Sequence, residues 1–270
     1  MRLFDAHCHL QDERLASDVE SVWTRARDAG VAGLICCGTE EGDWPAVERL
    51  CGAIPEAIPA FGLHPWRARG RSGGWLDALR SFLGRNPAAL VGEIGLDHAL
   101  TERNDEEQWE VCLAQWRLAK ELQRPVCLHC RRAWERLLAA VREIAPLSHP
   151  FLIHSYSGSS ELIPALSDAG AYFSFSGAIT RSGNRRGRAA AAAVPLERLL
   201  AETDAPDLTP IRDGKAPDRA EANEPCNLGY VVRTVAEIRT MDAEGLSERL
   251  WENSMEFVGK KGLAPAAANR

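Results

Sequence analysis

Near its start the chain reads Asp5-Ala6-His7-Cys8-His9, two histidines separated by one residue. On a strand, residues two apart share a face, so both imidazoles would aim at one point near the strand's C-terminal end. That geometry suits two metal ligands, although a pair of hydrogen-bonded core histidines would have the same spacing. Other groups of ligand type close further apolar runs: Glu93 after Val91-Gly92, His129 after Val126-Cys127-Leu128, and His154 after Phe151-Leu152-Ile153. Asp204 follows the run Leu199 to Glu202 in the same way. A charge or imidazole in an apolar interior is costly unless it is paired or ligating. Six such groups at one place explain one another if divalent cations neutralise them. Four imidazoles and two carboxylates suit zinc, manganese or iron better than calcium, and magnesium fits if the site keeps several waters. Two cations held side by side could activate a water and stabilise the oxygens of an in-line displacement.

Such a site exists only if the chain gathers the ends of its strands, and the hydropathy pattern predicts that it does. Leu3 to Phe4, Val31 to Cys37, Ala57 to Leu63 and Ala88 to Ile94 read as strands. So do Pro125 to Leu128, Phe151 to His154, Ala171 to Ser174 and Arg198 to Glu202. Helical periodicity lies between them: Leu15 to Ala26, Trp44 to Leu50 entered by Pro45, Trp75 to Leu83, and Asp105 to Leu122. Trp134 to Ile144, Leu162 to Ala169 and Arg186 to Ala193 continue the alternation, and two helices near Leu228 to Met241 and Leu246 to Val258 end it. Gly170 stands where a helix C-cap is expected. Eight strands with intervening helices imply parallel pairing, and the length favours an α/β TIM-type (β/α)8 barrel as a single domain over residues 1–261. The alternative, an open Rossmann-like sheet, lacks a Gly-x-Gly-x-x-Gly after any strand. Residues 262–270 are expected to form a flexible tail.

Composition narrows the function classes. The 270 residues are 45% hydrophobic and 26% charged, ordinary for a protein with a sizeable core. No apolar run approaches a membrane span, and no basic leader precedes the first strand, so a cytoplasmic monomer is expected. The eight cysteines lie scattered through apolar stretches and read as reduced, mostly buried thiols. Cys127 and Cys130 have no second half with which to form a zinc knuckle. A net charge of −6 disfavours a non-specific nucleic-acid coat protein but leaves room for a nuclease with one basic cleft.

The chain resembles the TatD-type metal-dependent hydrolases, deoxyribonucleases within the amidohydrolase-like barrels. The resemblance runs from Asp5 to Asn253 and rests on several motifs together: Gly62-Leu63-His64-Pro65, Gly92-Glu93-Ile94-Gly95-Leu96-Asp97 and Pro125-Val126-Cys127-Leu128-His129-Cys130-Arg131. His154-Ser155-Tyr156-Ser157-Gly158, Glu202-Thr203-Asp204-Ala205-Pro206 and Asn223-Glu224-Pro225 complete them. It implies that His7, His9, Glu93 and Asp204 hold one metal, with Glu93 bridging to a second held by His129 and His154. Asp204 doubles as the base that orients the attacking water, and His64 lies near the scissile phosphate; a turn histidine beside Pro65 is its plainer reading. The activity implied is hydrolysis of DNA at single-stranded ends with two divalent ions, zinc, manganese or magnesium. Another ester or amide, such as aminoacyl-tRNA, or a subunit role in a larger assembly, is the alternative. The chain departs from the family at His98 (often aromatic), at Ser155-Tyr156 (usually Cys-Phe) and at Ala222 (commonly arginine).

Three further residues are candidates for contact. Arg131 could pair with a phosphate oxygen through its planar fork, or with Glu135 four residues on. Asp97 could accept a hydrogen bond from a ligand imidazole, or cap the next helix. Trp66, on a rim loop, could stack a base. The basic stretch Arg181 to Arg188 follows the seventh strand and could reach the rim, or form only a solvated loop.

Overall fold

The apolar runs become eight strands: β1 (Leu3–Cys8), β2 (Val31–Cys37), β3 (Ala57–Phe61), β4 (Leu90–Asp97), β5 (Val126–Arg131), β6 (Phe151–Ile153), β7 (Ala171–Phe175) and β8 (Leu199–Ala201). They form one sheet in sequence order, and every adjacent pair is parallel. The helices are α1 (Glu13–Ala16), α2 (Val19–Asp28), α3 (Trp44–Ala53), α4 (Trp75–Arg85), α5 (Asp105–Leu122), α6 (Trp134–Ile144), α7 (Ile163–Asp168), α8 (Arg185–Ala193), α9 (Leu228–Arg239) and α10 (Ala243–Phe257). This computed structural model describes residues 1–218 and 221–259; the expected tail at 262–270 lies outside them. No helix among the described residues is long and apolar enough to cross a membrane.

The fold is the expected TIM-type barrel. Its two apolar layers follow from strand periodicity. Phe4, Ile35, Ile58, Leu90, Cys127, Leu152, Tyr172 and Leu200, one from each strand, belong to a single buried cluster that fills the barrel. Met255 and Phe257 of α10 join it, with the Phe257 ring 5.4 Å from that of Tyr172. Residues of the opposite parity, among them Leu34, Leu128, Ile153 and Phe173, pack outward against the helices. Two positions further along, the interior series becomes polar: Cys127 is followed by His129, Leu152 by His154, Tyr172 by Ser174 and Leu200 by Glu202. The mouth of the barrel therefore inherits its chemistry from the same alternation that fills its core.

β8 and β1 meet through the residues of interest. The Asp204 N–H donates to the His7 carbonyl at 3.0 Å, and the His9 N–H donates to the Ala205 carbonyl at 2.7 Å. The buried Asp5 carboxylate accepts from the Thr203 N–H at 2.8 Å and from the Thr203 hydroxyl.

Element boundaries differ from expectation where backbone irregularities intervene. β6 and β8 end before His154 and Glu202, and Ser155 and Asp204 follow in the left-handed region (φ 42° and 56°). β4 runs on to Asp97. The expected first helix divides at Ser17–Asp18 into α1 and α2, and a 3-10 turn at Pro65–Gly70 follows His64. Gly170 does end α7, one residue past its cap, at φ 96°.

Candidate metal centre

Two irregularities and two buried glutamines set the site. The register of β1 against β2 shifts between Asp5 and Cys8, and that of β4 against β5 shifts between Val91 and Ile94. Bulges re-aim side chains at barrel rims. Here they turn His7, His9 and Glu93 over the barrel although Ala6 and Leu90 belong to its interior cluster. Gly95 permits the close approach of β4 to β5: its φ is 144°, and a Cβ there would lie 2.0 Å from the His129 carbonyl oxygen. On α5, Gln108 and Gln115 lie two turns apart. Gln115 accepts from the Leu63 N–H and donates to the Leu63 carbonyl, at 2.6 and 3.0 Å, fixing the residue before His64. Gln108 clamps the Asp97 backbone in the same way, at 2.7 and 3.1 Å.

All six predicted ligand groups converge. His7 Nε2 and His9 Nε2 are 3.2 Å apart, lie 3.4 and 3.5 Å from Glu93 Oε2, and lie 3.8 and 3.7 Å from Asp204 Oδ1. These separations match the edge of a tetrahedron around a transition-metal ion, about 3.3–3.4 Å for bonds near 2.0–2.1 Å, or a somewhat expanded version of it. The other Glu93 oxygen serves a second group. Oε1 lies 2.9 Å from His129 Nδ1 and 2.8 Å from His154 Nε2, and those two nitrogens are 3.2 Å apart. Glu93 thus stands between two donor clusters, one oxygen in each.

The outer nitrogen of each imidazole has a partner that orients the ring, the pattern expected around ligating histidines. His9 Nδ1 donates to the Cys37 carbonyl at 2.7 Å. His7 Nδ1 faces the Cys37 thiol at 3.4 Å, His129 Nε2 faces Asp97 Oδ2 at 3.3 Å, and His154 Nδ1 faces Glu202 Oε1 at 3.4 Å. The inner lone pairs are thereby free for a cation. Asp97, for which the sequence offered either an acceptor for a ligand imidazole or a helix cap, faces the His129 ring and also accepts from the Ala99 N–H at 2.8 Å. Glu202 and Cys37 had no role assigned from the sequence. The signal for Glu202 was available: it stands two residues beyond the interior Leu200 and two before Asp204.

His64 takes its turn position and also reaches the candidate centre. Its Nδ1 accepts from the Trp66 N–H at 3.2 Å, capping the 3-10 turn, and its Nε2 lies 3.3 Å from Glu93 Oε1. Since Nδ1 accepts, the proton resides on Nε2, making His64 a donor into the site and not a ligand.

The crowding shows in the proton affinities of the protein's own groups. Burial pushes His7 and His64 down to about 4, so both imidazoles stay neutral. Burial would raise the Glu93 carboxyl, but His154, His64 and His7 prevail and hold it well below the usual carboxylate range. Burial would lower His154 too, yet Glu93 and Glu202 hold it well above an ordinary imidazole. Burial raises Asp204 well above its ordinary value and Asp5 to about 7. A buried carboxylate-rich cluster of this kind is costly by itself, and divalent cations would relieve it. The residues present therefore fit a transition-metal centre.

Beside the centre lies a cavity of about 430 Å³, lined among others by His129, His154 and Asp204. Trp66 stands at its lip, 55% exposed, and Arg131 and Arg186 line it as well. The alternative pairing of Arg131 with Glu135 does not form; no hydrogen bond or ion pair joins the Arg131 guanidinium to another described residue. Of the basic stretch, Arg181 and Arg188 are engaged with the carbonyls of Thr209 and Ile179, each at 3.3 Å, and Arg186 reaches the cavity. Where the family departs at Ala222, the neighbouring loop is held otherwise. Asn223 donates to the carbonyls of Thr203 and Asp207 at 2.9 Å, and Arg25 pairs with Glu224 at 2.8 Å. Tyr156 is buried, its hydroxyl donating to the Ser159 carbonyl, and His98 approaches Asp105 at 3.8 Å. All eight cysteines are free thiols. Cys127 and Cys130, three apart on β5, face opposite layers and form no knuckle.

Comparison with known proteins agrees with this geometry. Residues 4–259 match the family model described as TatD related DNase. The 3'-5' ssDNA/RNA exonuclease TatD of Pantoea ananatis is 34% identical over 261 residues, covering 95% of this chain and 99% of that one. YabD of Bacillus subtilis, named an uncharacterized metal-dependent hydrolase, is 30% identical, covering 93% and 97% of the two chains. The crystal structure of YJJV, a TatD homologue from Escherichia coli, superposes with a TM-score of 0.89 at 30% identity, covering 95% of this chain and 97% of that one.

Proposed function

Because this chain belongs to the TatD-related DNase family of metal-dependent hydrolases, we propose that it is an exonuclease, removing nucleotides from single-stranded DNA ends with two divalent cations. One observation carries the reading: Glu93 offers one oxygen to the His7–His9–Asp204 cluster and the other to the His129–His154 cluster. His7, His9, Glu93 and Asp204 would hold one cation, and Glu93, His129 and His154 the second. The donor set suits zinc or manganese, and magnesium if waters complete it. When bound, the cations polarise a phosphodiester and make a water acidic enough to attack near neutral pH.

The protein's own groups do the rest. Asp204, whose buried carboxylate has a raised proton affinity, orients the water and takes its proton. His64 presents its Nε2–H to a phosphate oxygen at the reacting centre. Arg131 takes a phosphate oxygen through its guanidinium fork, and Trp66 offers a face for a base. The name of the Pantoea relative, a 3'-5' exonuclease on single-stranded DNA and RNA, supports attack from the 3' end and suggests RNA as a second substrate.

The test is to remove metals with a chelator, restore zinc, manganese or magnesium singly, and follow end-labelled single-stranded DNA and RNA. Stepwise release of mononucleotides that needs a metal and is lost in Asp204→Asn is the expected result. Activity indifferent to both chelator and Asp204→Asn, or confined to carboxylic esters, would overturn the proposal.

A further inference from the structure

We propose that the cavity beside the metal centre is the subsite of one nucleotide next to the scissile phosphate, and that Arg131 and Arg186 together hold that nucleotide's other phosphate. This rests on the phosphodiesterase reading above and gives it a binding register. At about 430 Å³ the cavity is of small-ligand size, room for a nucleotide and not for a folded strand. One side of it is the candidate centre itself, through His129, His154 and Asp204. Phe175, Ile179 and Leu208 supply an apolar wall against which a base or sugar can lie.

The charge on this cavity is unspent. Arg131 stands two residues beyond His129, so the strand alternation that aims the imidazole inward sends the guanidinium the same way. Arg186, in the first turn of α8, reaches the cavity from the basic stretch after β7. Neither guanidinium makes a hydrogen bond or ion pair with another described residue. Glu161 feels the charge of Arg186 without pairing with it. The one acid on the cavity wall outside the candidate ligands is Asp207, and both of its oxygens are taken by Arg14, at 2.9 and 3.3 Å. Elsewhere arginines such as Arg80, Arg85 and Arg136 have carboxylate partners. Two free guanidinium forks in one small cavity therefore ask for an anion that the substrate brings.

The scissile phosphate belongs to the cations and His64. In a polynucleotide the nucleotide on the 5' side of the scissile phosphate carries a second phosphate of its own, and the nucleotide on the 3' side does so when it is not a free 3' end; that second phosphate is the one the two arginines can bind. Binding energy taken from that remote group is available to position the reacting one. A phosphodiester without a neighbouring phosphate forgoes it.

The experiment measures kcat/KM on thymidine dinucleotides bearing no terminal phosphate, a 5'-phosphate or a 3'-phosphate, at fixed ionic strength and metal. For the native protein, one of the two phosphorylated forms should be cleaved about tenfold or more better than the bare one, equivalent to one good charge-assisted contact. Which form wins tells whether the upstream or the downstream neighbour occupies the cavity. In Arg131→Gln and Arg186→Gln the ratio should fall toward one, chiefly through KM. Equal rates on all three dinucleotides would overturn the subsite while leaving the phosphodiesterase reading standing. A preference that survives in the Arg131→Gln/Arg186→Gln double variant would overturn the assignment to these arginines. Failure to cleave the dinucleotides and long single-stranded DNA with every metal would sink the phosphodiesterase reading, and the subsite with it.

Discussion

The indole Nε1 of Trp66 donates to Asp97 Oδ2 at 2.8 Å, and that same oxygen lies 3.3 Å from His129 Nε2. One carboxylate thus ties the exposed ring at the lip to a buried imidazole of the candidate centre. Replacing it with an amide, Asp97→Asn, leaves at most one oxygen for the Ala99 N–H, the indole and the imidazole. Cation affinity should fall about 10–100-fold, the usual cost of losing such an orienting partner. Titration of zinc or manganese into chelated protein measures it. Trp66→Phe keeps an aromatic ring, though a smaller one, and removes the donor to Asp97, so its cation affinity should stay within a few-fold of the native value. Trp66→Ala should weaken single-stranded DNA by about 1–3 kcal/mol, seen in KM, if a base stacks there. Unchanged metal binding in Asp97→Asn would remove Asp97 from the centre.

Glu93 offers a sharper test of the number of cations. Its two oxygens face different donor clusters, so Glu93→Gln replaces one anionic oxygen with an amide nitrogen that cannot ligate. Metal content, measured by elemental analysis after dialysis, should drop from two ions per chain to one or fewer. The kcat on DNA should fall by about two orders of magnitude or more. Retention of two tightly held ions would show that Glu93 does not bridge.

Much of this site was legible from period-two alternation alone. On β5 the series Cys127, His129, Arg131 runs from barrel core to candidate ligand to cavity without a break, and the same alternation carries on just past β6 to His154 and just past β8 to Glu202. On β1 and β4 alternation would have misled, because a bulge lies between the interior residue and the ligand. There the residue types, the spacing of His7 and His9 relative to each other, and the family motifs carried the inference. The partner of His9 is a backbone carbonyl, that of Cys37, and no side-chain pattern announces it. His64 could not be assigned because its two nitrogens do two different things. The basic stretch was evident, yet only the turn into α8 decides that Arg186, and not Arg181 or Arg188, reaches the cavity.

Cation binding should release protons, more so at lower pH. Burial favours a neutral His154, but Glu93 and Glu202 overcome it and keep a proton on the ring well above the ordinary imidazole range. The hydrogen bonds to Asp97 and Glu93 likewise raise His129 against burial. A cation must displace these protons to use the nitrogens. Below the raised pKa, each proton displaced weakens apparent affinity by about tenfold per pH unit, so affinity climbs as pH rises through neutrality. His7, pushed down to about 4 by burial, adds no such competition above that pH. Calorimetric titration of chelated protein in buffers of different ionisation enthalpy, between pH 6 and 8, counts the protons. Binding that is independent of pH with no proton release would contradict the assignment of His129 and His154.

The backbone at Asp204 separates chemistry from folding. Its φ of 56° lies in the left-handed region, where Asp and Asn are tolerated better than other residues with a Cβ. Asp204→Asn should therefore keep the loop, which Asn223 also pins through the carbonyls of Thr203 and Asp207. Asp204→Ala loses that tolerance and should be less stable than Asp204→Asn by about 1 kcal/mol. Both neutral replacements relieve the same repulsion from Glu202 and Glu93, so this term cancels in the comparison. Both also remove the base, and kcat should drop about 10²–10⁴-fold in each. Denaturant melts of the two chelated variants, set beside their rates on single-stranded DNA, test the two effects separately. Appreciable activity in Asp204→Asn would mean that another group takes the proton from the attacking water, and the nearest candidate would then be Glu93, whose well-depressed proton affinity makes it a poor base.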